Sequence, residues 1–531
     1  MDRRTFVKAS AAVAAGAAAL AVGRLGAPAP ARAQAAASRT LRLIPHAGLA
    51  DLDPISHADD VVRNAALLVW DTLYGIDRAL KPQRQMVEAE EVSAQGRTWT
   101  FRLRDGLKFH DGEPVRARDV VASINRWAAR DSMGATVKNI EDELAAVDDR
   151  AFRWRLKIPF PRLLVALGKI SPPCCFVMPE RIAATDAFQD IADYVGSGPM
   201  RFVAADWEPG RRATFAKFAD HVPREEPASW LAGGKRIAVD RVEWIMISDP
   251  AAAAAAMRSG EADWWELVPP AFVPALRADR NLKVEISDPL GTVGLLMMNQ
   301  LVPPFRDVRA RRAVLMAVNQ EDFMRAHVGD DTLWRPLPGF FAPGTPLYNE
   351  EGDEALRGPR RIDAAKALLA EAGYAGAPIT MLVAQDIATS KVWGGVTADL
   401  LTHLGMTVDY VATNRSGLAA RRAQGNWHVY PTAVAGVDCI DPTNASIRAN
   451  GESAANGWAD IPALEDAVGY WFDPDNTEEE LAIARRLNKA ALDQVVAAPL
   501  GFFLSHQAWR DTVSGIAQGP LPFVWDVSKA P

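Results

Sequence analysis

The sequence predicts a mixed α/β fold divided into two or three globular lobes, and three observations carry that expectation. Short apolar runs with strand-like alternation are interleaved with medium-length helical patterns and Gly/Pro punctuation along most of the chain. No repeat with a period of roughly 20–50 residues recurs, which excludes a solenoid. Hydrophobic residues make up 49% of 531 positions, enough to fill cores but spread over more chain than one core usually organises.

The first element is an export signal. Asp2-Arg3-Arg4-Thr5-Phe6-Val7-Lys8 runs into an Ala-rich apolar segment from Ala9 to Val22. At about 1.5 Å per residue that segment reaches only about 21 Å, short of a roughly 30 Å hydrocarbon core, so it is not an anchor. Ala31 and Ala33 flank Arg32 in an Ala-x-Ala pattern that places cleavage before Gln34, with residues 1–33 removed. The paired arginines resemble a twin-arginine signal, which exports folded proteins to the periplasm; an ordinary secretory signal is the alternative. Cleavage would remove a net +4 and take the charge from −7 to −11. An acidic body argues against nucleic acid or anionic lipid as partner.

The elements follow in order. Thr98-Trp99-Thr100-Phe101-Arg102-Leu103 alternates at period two, and Asp105-Gly106 supplies a turn before Leu107-Lys108-Phe109, which reads as a hairpin-like pair of strands. His110-Asp111-Gly112 gives a second turn, and a helix begins at Ala117. Asp249-Pro250 opens a helix that Gly260 closes. Further helices are predicted over Arg309–Val318 and Ile362–Ala372, the latter closed by Gly373, with a Pro/Gly-rich loop over 336–360 between them. Thr477–Asp493 reads as a long amphipathic helix, with Thr477 and Glu480 fitting a capping box.

The chemistry expected of an enzyme is missing from the motifs. There is no His-Glu-x-x-His, Gly-x-Ser-x-Gly, Cys-x-x-Cys or Gly-x-x-x-x-Gly-Lys-Ser/Thr. Eight histidines without a close pair predict no metal site built by the protein, and no cofactor is expected. Cys174, Cys175 and Cys439 read as small packed hydrophobes.

The string from Thr98 to Gly112, continued by Glu113-Pro114-Val115-Arg116-Ala117-Arg118-Asp119-Val120-Val121, resembles a motif of family 5 extracellular solute-binding proteins. That family includes periplasmic oligopeptide-, dipeptide- and nickel-binding components of ABC transporters. Further matches follow in the family's order: Leu52-Asp53-Pro54, Asp71-Thr72-Leu73-Tyr74, Gly196-Ser197-Gly198-Pro199, Ser259 to Trp264, and Asn299 with Pro303 to Ala313. Most of these positions serve turns, cores and helix starts, so they identify a scaffold and not a ligand.

The resemblance implies an α/β fold of the periplasmic binding protein type, with two hinged lobes and an extra subdomain, as in the large peptide-binding members. The implied first lobe is discontinuous, 38–80 with 196–295 and 505–531. The extra subdomain is 81–195, and the second lobe is 296–504. A solute would sit in the cleft and closure would bury it. The implied protein is a monomer that passes a short peptide or peptide-like compound to permease subunits driven by a cytoplasmic ATPase. A receptor for metal chelates or opines on the same fold is one alternative, and an exported peptide hydrolase is the rival from another class.

In peptide-binding relatives an Asp-x-x-Asp/Glu-Pro stretch puts its first acid in the cleft against the ligand's α-ammonium. By that resemblance Ala435-Gly436-Val437-Asp438-Cys439-Ile440-Asp441-Pro442 nominates Asp438. Ala435 and Cys439 stand where relatives often carry Trp and Tyr. The other reading is that Asp438 or Asp441 caps the turn around Pro442. Trp334, Trp393 and Trp427, near loops of the second-lobe half, are candidate pocket walls, in preference to Trp99 and Trp154 within alternating strands. His46, His57 and Arg415 are polar candidates in loops near strand ends, where clefts of open sheets lie.

Overall fold

Three sheets organise the computed structural model of the chain, which describes residues 39–443, 447–448, 451, 457–473 and 477–530. The export-signal reading over 1–33 and the Thr477 side chain of the capping box lie outside the described residues. At the centre of a seven-stranded sheet, Thr40–Ile44 runs parallel to Arg241–Ile245 on one side and Trp264–Val268 on the other. Leu41, Leu43, Val242 and Trp244 are buried on its inner face, as period-two alternation requires. Arg212–Lys217 and Met200–Phe202 extend one edge, and His506–Arg510 and Leu282–Ile286 the other. The predicted helix forms as Pro250–Ser259: Asp249 accepts a hydrogen bond from Ala252 N at 2.7 Å, and Gly260 takes a left-handed φ of 82° to end it.

A four-stranded sheet runs in the order Val87–Val92, Thr98–Leu103, Ala151–Leu156, Glu141–Ala146. Thr98–Leu103 forms as predicted, with Phe101 stacked on Phe152 at 4.8 Å, but its hairpin partner does not. Leu107-Lys108-Phe109 makes only a single bridge, Lys108 to Pro114. Gly106 and Gly112, both at positive φ, place two turns so close together that no ladder can propagate between them. The true neighbours of Thr98–Leu103 lie before and well after it in sequence.

The third sheet has six strands, ordered Trp334–Arg335, Ala497–Phe503, Thr292–Met298, Val429–Ala435, Ile379–Ala384, Val408–Thr413. Ala497–Phe503 is buried at every residue, which explains its unbroken run of apolar and small residues. Helices Val308–Ala317, Gln320–His327 and Ala388–His403 share its core. The helices predicted near 362 and 477 form as Ile362–Glu371 and Thr477–Gln494. The stretch 336–360 is loop except for the short 3-10 turn Asp353–Ala355.

The chain passes between the seven- and six-stranded sheets twice, through 287–291 and through 504–505. The two passages are tied together: Ser287 N and Oγ both donate to Ser505 O, at 2.9 and 3.1 Å. Two buried ion pairs brace the first passage's side of the molecule. Arg126 binds Asp53 in a bidentate pair at 2.6 and 3.0 Å, with both side chains 2% exposed or less. Lys235 Nζ lies 2.7 Å from Asp71 Oδ1. Cys174, Cys175 and Cys439 are all buried; burial pushes Cys174 up to about 12.

Candidate ligand site between the lobes

The turn that carries Asp438 is set by a close approach of two backbones. Gly436 N donates to Gly291 O at 2.8 Å, and a Cβ on Gly436 would stand 1.8 Å from Leu290 O, so only glycine fits beside the first crossing. The 3-10 turn Gly436–Cys439 then projects Asp438 toward the helix Asp60–Val69, which belongs to the other side of the crossings. Asp438 Oδ1 lies 3.9 Å from Arg63 Nη1 and, among the described residues, is buried without a hydrogen-bond partner. Burial, then the charge of Asp60, raises its pKa to about 7 against the opposing pull of Arg63 and Lys169.

Capping of the Pro442 turn falls instead to Asp441, whose Oδ1 accepts from Thr443 N at 2.8 Å. The alternative reading of these acids therefore applies to Asp441.

Arg63 is the centre of the group and was not singled out from the sequence. Its side chain is 2% exposed and its Nη1 lies 3.1 Å from Asp60 Oδ1 and 3.4 Å from Ile170 O. Nε donates to Asn64 Oδ1. The signal was available: Arg63 is the one cation in the otherwise apolar or small stretch from Val61 to Val69, broken only by Asn64. A charge on the buried face of a helix needs partners.

His46 joins the same group. Its ring Nδ1 lies 2.9 Å from Glu266 Oε2, and its backbone N–H donates to that oxygen at 2.7 Å. Burial disfavours its protonated form, but the charge and hydrogen bond of Glu266 outweigh burial and raise its pKa. Asn64 Nδ2 reaches Glu266 at 3.4 Å, linking His46 to the Arg63 helix. Arg415 opens the helix Arg415–Ala423 and pairs with Asp59 at 3.6 Å, next to the start of Asp60–Val69. Asp288, in the first crossing, is raised to about 6 by burial.

The remaining nominations go elsewhere. Trp393 is a correction: it is 0% exposed, its indole N–H donates to Phe323 O at 2.9 Å, and its ring packs edge-on against Phe503. Trp427 is a second correction, 1% exposed and packed on Tyr430. The two fill separate cores, because a large indole on a helix or strand end gains most by full burial. Trp334 sits half-buried on the sheet's edge strand and donates to Asp331 at 3.1 Å. His57 pairs with Asp190 at 3.0 Å and lies 4.0 Å from Asp51. Among the described residues, these three are the only group whose ligand atoms come within 4.8 Å of one another, and their exposed ion pair accounts for them.

Asp438, Arg63, His46 and Arg415 thus meet where two lobes face one another across a double crossing, with carboxylates outnumbering cations. This is the architecture of a two-lobed binding protein of the large peptide-binding type, which closes around a solute. The profile of bacterial extracellular solute-binding proteins, family 5 Middle, matches residues 81–457. The probable peptide ABC transporter periplasmic-binding protein y4tO of Sinorhizobium fredii is 34% identical over an alignment of 541 residues that covers 100% of both chains. The glutathione-binding protein GsiB of Pectobacterium atrosepticum is 26% identical, covering 77% of this chain and 73% of its own. The chain belongs to family 5 of the bacterial extracellular solute-binding proteins.

Solved structures share the fold. The binding protein AgaA of A. tumefaciens R10, in complex with agropinic acid, superposes with a TM-score of 0.79 at 20% identity, covering 93% of this chain and 99% of that one. DppA of Helicobacter pylori, in complex with the peptide STSA, gives 0.78 at 19% identity, covering 93% and 98%.

Proposed function

We propose that this chain is the periplasmic substrate-binding component of an ABC importer, taking a short peptide or peptide-like amine at Asp438 and delivering it to permease subunits. The observation that carries this reading is the buried Asp438 Oδ1, which has no hydrogen-bond partner among the described residues. A buried carboxylate oxygen costs stability until a donor meets it, and an ammonium group supplies both donor and charge. The surrounding excess of acids, Asp60, Glu266, Asp288 and Asp438 about Arg63, favours a cationic group over an anionic one. The name of the Sinorhizobium relative, a peptide transporter component, supports the same cargo class.

In this proposal 1–33 is a twin-arginine-type signal that is removed on export. The mature protein acts as a monomer. Its lobes divide as 38–80 with 196–295 and 505–531, then 81–195 as subdomain, then 296–504. His46 and Arg415, beside the Arg63 group, and His57 and Trp334, farther from it, remain proposed ligand contacts. Ala435 puts a smaller side chain on the turn before the acid than the Trp that relatives often carry, whereas Cys439 is fully buried in the core. That observation favours a second reading, a bulkier opine-like or chelated cargo, as bound by the neighbour that holds agropinic acid.

Native mass spectrometry of the protein purified from the periplasm identifies the solute that travels with it. Asp438→Ala is expected to lose that solute while keeping the wild-type circular dichroism spectrum. Retention of the same solute by the variant overturns the Asp438 assignment.

A further inference from the structure

A second set of contacts crosses between the lobes away from Asp438. Phe160 and Arg162 follow the strand Ala151–Leu156 of the four-stranded sheet; Trp471, Phe472 and Glu480 lie between strands of the six-stranded sheet. Arg162 Nη2 lies 2.7 Å from Glu480 Oε1, its Nε donates to Trp471 O at 3.3 Å, and its guanidinium sits 4.6 Å from the centre of the Trp471 ring. Phe160 stacks on Phe472 with centroids 5.4 Å apart. Arg162 and Glu480 are only 12% and 19% exposed, so this pair is screened far less than a surface ion pair.

The same contact carries marks of reversibility. Among the described residues Trp471 Nε1 is buried without an acceptor, a cost that water removes when the surfaces part. Beside it a surface pocket of about 260 Å³ opens between the two sides, lined by Ile140, Phe160, Arg448, Val468 and Phe472, so solvent already reaches the edge of the contact. The polypeptide joins the two sides only at 287–291 and 504–505, so this contact can open without unfolding either side.

We propose that Arg162 and Phe160, docked on Trp471, Phe472 and Glu480, form a latch that stabilises the closed arrangement whether or not solute is bound. A latch that acts on closure alone touches no solute, so it changes the apparent affinity for every solute by one common factor. Asp438, in contrast, discriminates among solutes.

The test is small-angle X-ray scattering of the full-length mature chain, stripped of solute by unfolding in urea, dialysis and refolding. Wild type is expected to scatter as a mixture rich in the closed form. Arg162→Ala is expected to lower the closed-to-open ratio about tenfold, the change that about 1.4 kcal/mol of lost contact produces, and so to raise the radius of gyration. Glu480→Gln keeps the packing and removes only the charge, so its shift is smaller and in the same direction. Amide exchange should rise together over 160–168 and 462–471 in both variants. Scattering curves of Arg162→Ala and wild type that superpose, with melting showing both folded, overturn the latch. If Arg162→Ala fails to fold, Glu480→Gln decides by the same comparison.

Discussion

Asp438→Asn should make the solute-free protein more stable at pH 8 while removing the charge proposed to hold the solute. An aspartate whose pKa in the fold lies above its value in the unfolded chain holds its proton more tightly when folded. Its stabilising share is complete below pH 3.8 and is lost as pH rises through about 7. The gap from 3.8 to about 7, at about 1.4 kcal/mol per pH unit, amounts to about 4 kcal/mol. Asparagine has nearly the same shape, cannot ionise and escapes that cost. The variant's advantage in urea unfolding followed by tryptophan fluorescence should therefore be about 4 kcal/mol at pH 8 and fall below about 2 kcal/mol at pH 5. The physical reason is that burial and the neighbouring Asp60 penalise the ionised Asp438 by more than Arg63 and Lys169 offset. Equal unfolding midpoints at pH 8, or an advantage that grows toward pH 5, would refute it.

Two further outcomes follow from buried groups outside the site. Asp53→Ala strands the Arg126 guanidinium, which is 1% exposed, and should cost about 3–5 kcal/mol in urea unfolding, whereas Asp190→Ala, an exposed partner of His57, should cost less than about 1 kcal/mol. Trp393→Ala removes a fully buried indole from the second-lobe core and should cost about 3–5 kcal/mol, with the affinity for the co-purified solute unchanged in calorimetry; a selective loss of affinity would return Trp393 to the pocket.

The scaffold was readable in one dimension because its signals are local. Asp249, Pro250 and Gly260 bracket a helix by satisfying its end groups, and Thr98–Leu103 declares its buried face through alternation. The hairpin drawn from Leu107–Phe109 failed for a local and a non-local reason: the turns at Gly106 and Gly112 leave it little length, and both edges of Thr98–Leu103 are taken by Val87–Val92 and Ala151–Leu156. Tryptophans fared alike. An indole near a loop looks the same in sequence whether it walls a cleft or fills a core, and Trp393 and Trp427 fill cores.

By itself, the sequence determined the α/β class and the family's motif order, and it nominated the acid at 438, since each depends on neighbouring residues or an ordered string. Only the tertiary structure decided that Asp438 faces Arg63, 375 positions away, that His46 answers to Glu266, and that Arg162 reaches Glu480. Those meetings depend on two chain crossings that bring distant helices and turns face to face, and electrostatic pairing depends on separation in space, which no local pattern encodes.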